Sequence, residues 1–172
     1  MTRRTPHSGY TLIEVLVTVT VIGLASVVIV PSLMRGGELG LQAAARIIIA
    51  DILLAQNDAI AYQSPRRVAF DIDNNEYRLE EGTVQSDGTI SWALVHADWL
   101  GGSGGNYIVD FDTDSRFDGV VLIEADFDRA ERVAFDELGG PTDGGFVRLR
   151  FEDQTYRIDV AEFTGRVSVT RE

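Results

Sequence analysis

The chain has 172 residues, of which 45 % are hydrophobic, and a formal charge of −12 that combines 27 acids with 15 arginines and no lysine. One globular domain plus an accessory segment fits this length, and the acidic balance argues against nucleic acid as a partner, because phosphates are neutralised by clustered cations. With no cysteine and only His7 and His96, disulfides, thiolate metal sites and cysteine nucleophiles are excluded, and histidine chemistry has little to work with.

Residues 1–9, MTRRTPHSG, form a short basic and polar leader. From Val15 to Val30 the chain is apolar except for Thr18, Thr20, Gly23 and Ser26. Counted from Tyr10, this is about 31 Å of helix, enough to cross a bilayer core of ~30 Å. Arg3 and Arg4 precede the run and no cation follows it before Arg35, so the N-terminus is expected in the cytoplasm and the rest outside it. A cleaved secretory signal would need a small-x-small site after the apolar core, and Val28–Ser32 does not supply one. A plain anchor leaves Glu14 unexplained. A charged side chain at the centre of a membrane helix costs ~2.5–3.5 kcal/mol, less near its end, and an intramembrane acid is by default a functional candidate.

The segment Gly9-Tyr10-Thr11-Leu12-Ile13-Glu14-Val15, after a basic leader and before an apolar span, closely resembles the processing site of type IV prepilins and type II secretion pseudopilins. That resemblance implies cleavage by a membrane prepilin peptidase after Gly9 and N-methylation of the new terminus at Tyr10. It also implies that Glu14 faces the Tyr10 amine of a neighbouring subunit during assembly. Most members carry Phe where this chain has Tyr10. Pro31 stands where many members have a helix-kinking proline.

Beyond the membrane segment, helical periodicity resumes from about Glu38 to Ser64. Leu41, Ala45, Ile48, Ile52, Ala55, Ala59 and Tyr62 form an apolar stripe, widened by Ile47, Leu54 and Ala61. Ser64-Pro65 ends it, because the residue before proline is pushed out of the α region. Between the two helical stretches, Pro31, Gly36, Gly37 and Gly40 predict a kink or local melting over 31–40.

Arg67–Asp73 and Glu76–Leu79 alternate around Asn74-Asn75, a hairpin signal in which an asparagine takes positive φ. Further strands are expected at 90–95, 107–111, 119–125, 132–135, 145–151, 155–160 and 166–170, and the segment 101–106 reads as a loop. Short strands between Gly, Asp and Pro predict antiparallel sheets, hence an α+β fold. Its parts are a leader (1–9), a transmembrane and assembly helix (10–31), a hinge and amphipathic helix (32–64), and a β-rich exported domain (65–172).

Phe135–Pro141, then Gly144–Leu149, then Thr164–Val167 resemble the C-terminal pattern of the GspH/FimT group, as does Arg46–Ala61 on the helix. These are minor pseudopilins and minor pilins whose β-sandwich packs on the long helix. The resemblance implies a pilin-like, non-enzymatic structural subunit without a cofactor. Its partners would be prepilin peptidase, other pseudopilins or pilins and an inner-membrane assembly platform. It would sit as a single-pass protein of the inner membrane, with its C-terminal domain in the periplasm and later in the pseudopilus. A minor type II secretion pseudopilin is the first reading. A minor type IV pilin in adhesion, motility or DNA uptake is the second, and a membrane-anchored binding domain outside any filament the third.

Asp110, Asp112, Asp114 and Asp118 crowd into FDTDSRFDG and form a calcium candidate, although Ser115 and Val121 replace the glycine and glutamate of a full EF-hand loop. Arg148, Arg150, Arg157, Arg166 and Arg171 concentrate cations near the C-terminus. With Glu152, Asp153, Asp159, Glu162 and Glu172 interleaved, cross-strand salt bridges are their expected use.

Overall fold

A computed structural model describes residues 10–34, 36–96 and 105–172, with the side chains of 27–38 left out. It divides into two compact units, 1–36 and 37–172. The leader and most of the 101–106 loop lie outside the described residues.

The first unit contributes one helix, α1 (Leu12–Met34). At 1.5 Å per residue it is about 34 Å long, a bilayer's core thickness. Every described side chain from Tyr10 to Ser26 is exposed.

The second unit starts with α2 (Gly36–Tyr62), whose buried face reproduces the sequence stripe: Leu41, Ala45, Ile48, Ile52, Ala55 and Ala59 all lie in the core. Tyr62 departs from it and is exposed. The helix ends there, with Gln63 in the left-handed region (φ 49°) and the Ser64 amide donating to Ala59 O, a Schellman-type closure two residues before the expected end. A kink or local melting is expected over 31–40, and Arg35, where the two helices are divided, lies outside the described residues. Backbone helix covers Pro31–Met34 and Gly36–Gly40 on either side of Arg35. Gly40 has a packing reason to be there, since a Cβ would sit 3.2 Å from Arg116 O in the turn pressed against it.

Among the described residues nine strands follow: β1 (Arg66–Asp71), β2 (Glu76–Val84), β3 (Ile90–Leu94), β4 (Ile108–Asp110), β5 (Val121–Asp126), β6 (Arg132–Phe135), β7 (Gly145–Phe151), β8 (Gln154–Val160) and β9 (Val167–Arg171). They form two antiparallel sheets, ordered β3-β2-β1-β6 with β4 also on β2, and β5-β7-β8-β9. β2 is long enough to pair β4 through Glu76–Arg78 and β3 through Glu80–Val84 on the same edge. Because strand residues alternate sides, Val68, Phe70, Tyr77 and Leu79 of the first sheet and Val147, Leu149, Ile158 and Val160 of the second turn inward. They join α2 in one hydrophobic core.

Asn75, in the predicted left-handed position (φ 52°), ties three segments together. Its side-chain amide donates to Asp112 Oδ1 (2.6 Å) and Val120 O (3.0 Å), and its Oδ1 accepts from the Leu122 amide (2.8 Å).

A candidate assembly site at the start of the first helix

Thr11 caps α1. Its Oγ1 accepts from the Glu14 amide (3.3 Å), and its carbonyl accepts the first helical bond from Val15 (3.2 Å). Thr-x-x-Glu is also the spacing of a capping box, and an acid in the first turn favours the positive end of the helix. Neither effect uses up the carboxylate. Among the described residues, no hydrogen bond or ion pair reaches the Glu14 side chain.

The other polar side chains of this helix behave differently. Thr18 Oγ1 donates to Glu14 O (2.6 Å), Thr20 Oγ1 to Leu16 O (2.8 Å) and Ser26 Oγ to Ile22 O (2.8 Å). Each hydroxyl is thereby satisfied within the helix, as a lipid environment demands. Between Leu12 and Ser26, Glu14 alone keeps an unmet polar group. Tyr10, the expected new terminus, is exposed just ahead of the helix, and Gly9 lies outside the described residues.

Length and composition would also let Leu39–Tyr62 cross a membrane. Its apolar stripe, however, is the floor of the β-domain core and carries a buried acid, Asp51. The apolar side chains of α1 that are described, by contrast, are all exposed.

Asp51 is a residue that periodicity alone overlooks. It sits on the buried face of α2 beside Ile48 and Ile52, only 5 % exposed. Tyr107 donates to its Oδ1 at 2.7 Å and Tyr77 to its Oδ2. Burial pushes the Asp51 carboxyl up from its ordinary value, against the opposing pull of the two hydroxyls. Burial and the Asp51 charge likewise push both tyrosines up. The cluster joins α2 to the first sheet, and the sequence offered one sign of it: an acid inside an apolar stripe.

Two of the three pieces of the C-terminal pattern, Phe135–Pro141 and Thr164–Val167, meet on α2 at Gln56. Its Nε2 donates to Gly139 O (2.8 Å) and lies 3.5 Å from Thr164 O. Gly139 (φ 78°) and Gly165 (φ 63°) both take left-handed turns against that helix, where a Cβ would collide with Ile60 and with Gln56 respectively. Asp136 Oδ1 holds the first turn by accepting from the Leu138 and Gly140 amides.

The calcium candidates do not converge. Asp110 Oδ1 accepts from the amides of Asp112 and Thr113, Asp112 accepts from Asn75, and Asp114 caps the short 3-10 turn Ser115–Phe117 while pairing with Arg116. No group of three acid or histidine side chains placed to hold a metal ion occurs among the described residues. Of the C-terminal arginines, Arg148 pairs across strands, partly with an acid outside the expected set, and Arg157 pairs along its own strand. Arg148 pairs with Glu124 on β5 (2.5 Å) and with Glu172 (3.1 Å), and Arg157 with Asp159 (2.7 Å). Arg157 also lies over the Phe146 ring at 3.7 Å.

Comparison with known proteins bears on both units. The prokaryotic N-terminal methylation motif matches residues 4–30. No curated protein matches the sequence. Two solved structures of the minor pseudopilin EpsH from the type II secretion system of Vibrio cholerae resemble the fold at 12 % identity. One gives a TM-score of 0.53 over 76 % of this chain and 95 % of that one, the other 0.50 over 76 % and 92 %. The chain thus carries a prokaryotic N-terminal methylation motif at its start and, behind it, a fold similar to that of these minor pseudopilin structures.

Proposed function

We propose that this chain is a minor pseudopilin of a type II secretion system, a structural subunit of the pseudopilus and not an enzyme. Prepilin peptidase is its processing partner: cleavage after Gly9 frees the Tyr10 amine, which is then methylated. α1 holds the subunit in the inner membrane with the β-domain in the periplasm, and assembly moves α1 from lipid into a filament among other pilin-like subunits.

One observation supports this reading above the others: the Glu14 carboxylate, on an exposed apolar helix, has no partner among the described residues while every neighbouring hydroxyl has one. A cation from another chain is the missing group. In lipid, a free carboxylate and a free ammonium are each costly, and pairing them between subunits removes a cost that neither escapes alone. The opposite ends of the interaction are then four residues apart in sequence, which sets an axial stagger of about 6 Å between adjacent helices.

The Glu14→Ala variant tests it. Normal trimming of the N-terminus with loss of incorporation into filaments supports the reading, whereas undiminished incorporation contradicts it. Deleting the gene should stop export of secreted proteins; loss of surface pili with export intact would instead make the chain a minor type IV pilin.

A further inference from the structure

The outward face of the first sheet holds an open cleft of about 640 Å³ between β1, β2 and the β5–β6 turn. Strand register builds its floor. Ala69 on β1 lies opposite Arg78 on β2 and Arg132 on β6, so two arginines flank a methyl group across three strands. Arg67 and Arg129 complete a set of four arginines lining the cleft, more than a quarter of the cations in a chain of charge −12.

These four are not equivalent. Arg67 is held by Glu80 and stacks on Trp92, 4.1 Å from the ring centre, and Arg78 also pairs with Glu80 (2.9 Å). Arg129 and Arg132 are exposed and have no ion pair among the described residues. The turn that presents Arg129 is a two-residue hairpin closed between Phe127 and Ala130, with Asp128 (φ 51°) and Arg129 (φ 68°) both left-handed. Asn-Gly is the usual choice there. An arginine in the left-handed region costs about 1–2 kcal/mol, so this turn accepts strain to place a free guanidinium at the mouth of the cleft.

We infer that this cleft binds an acidic peptide segment of a partner protein, whose carboxylates pair with Arg129 and Arg132 over Ala69. The planar guanidinium fork suits a carboxylate bidentately. Locked Arg67 and Arg78 supply fixed positive field without needing to move, and the Arg67–Trp92 stack offers a flat rim. A nucleic-acid strand fits less well. It presents an unbroken row of phosphates, while Asp128 and Glu131 edge the same cleft and only two cations are unspent. A peptide of mixed charge can meet both. This inference is independent of the filament reading, since the cleft is far in sequence from α1 and uses none of its residues.

The test is fluorescence anisotropy of labelled octaglutamate with the full chain in nonionic detergent at low ionic strength. Wild type should bind, with affinity falling as salt is added. Arg129→Gln/Arg132→Gln should weaken binding about tenfold or more, and the charge-matched control Arg46→Gln/Arg150→Gln, at exposed positions elsewhere, less than about twofold. Equal weakening by both double variants, no binding by wild type, or tighter binding of an oligothymidylate of equal charge would each overturn the proposal. All four substitutions are on the surface, and matching thermal unfolding of the two double variants checks that neither is misfolded.

Discussion

Truncating Asp51 to alanine strips the acceptor from two buried tyrosine hydroxyls at once. Tyr77 is fully buried and Tyr107 nearly so, and among the described residues neither hydroxyl has another acceptor. A buried donor left unsatisfied costs about 1–3 kcal/mol, so Asp51→Ala should destabilise the β-domain by about 2–6 kcal/mol. That is a large share of the ~5–15 kcal/mol typical of a domain. Asp51→Asn keeps an acceptor and removes the buried charge, and should stay within about 1 kcal/mol of wild type near neutral pH. The pH dependence gives a sharper contrast. Because burial raises the Asp51 pKa in the folded state, the native protein binds the proton more tightly than the unfolded chain. Its contribution to stability is therefore greatest below the ordinary carboxylate range, and it declines as pH rises from there through the raised folded value. Near-UV circular dichroism melts of wild type and Asp51→Asn, compared between pH 4 and pH 7, read this out, and other carboxylates cancel in the difference. The stability of the asparagine variant relative to wild type should increase with pH. A difference independent of pH, or one that runs the other way, would refute the account of this cluster.

Asn75→Ala should cost about 3 kcal/mol, since it orphans the Leu122 amide and Val120 carbonyl and replaces a residue type favoured in the left-handed region by one that is not; urea denaturation measures it. Gly165→Ala should destabilise more than Gly88→Ala. Both glycines have positive φ, but a Cβ at 165 would lie 2.4 Å from Gln56 Nε2, whereas none of the surrounding atoms comes within 4 Å at 88. Gln56→Ala in the Gly165→Ala background should recover part of that loss, which a double-mutant cycle would show.

What the sequence made legible was what periodicity and chain-local chemistry encode. The stripe on α2 could be read because its residues recur at helical spacing, and it failed at Ala61 and Tyr62, both exposed, where the helix reaches its left-handed cap at Gln63. Eight of the nine described strands came out within two residues of their bounds because Gly, Asp and Asn punctuate them, while β2 runs five residues past the expected Leu79; Asn75 took its positive φ because a two-asparagine turn demands one. Contacts between distant segments could not be read this way. The partners of Asp51 come 26 and 56 residues later, and Gln56 reaches 83 residues to Gly139. Glu124 faces Arg148 only through the β5–β7 register, which shifts between Leu122 and Glu124. The acidic loop misled for a related reason: its spacing suggested a cation, but its carboxylates serve the turn, Arg116 and Asn75. At α1 the motif marked Glu14 and Tyr10 directly, and the structure added that the hydroxyls around Glu14 are satisfied while the carboxylate is not.

The account stands on a carboxylate in lipid finding an amine that only proteolysis can create. Mass spectrometry of the protein purified from membranes of its native host examines this at the source. The predicted mature chain begins at Tyr10, lacks residues 1–9 and carries one methyl group on its terminal nitrogen. A chain that still begins at Met1, in cells with an active prepilin peptidase, would contradict it.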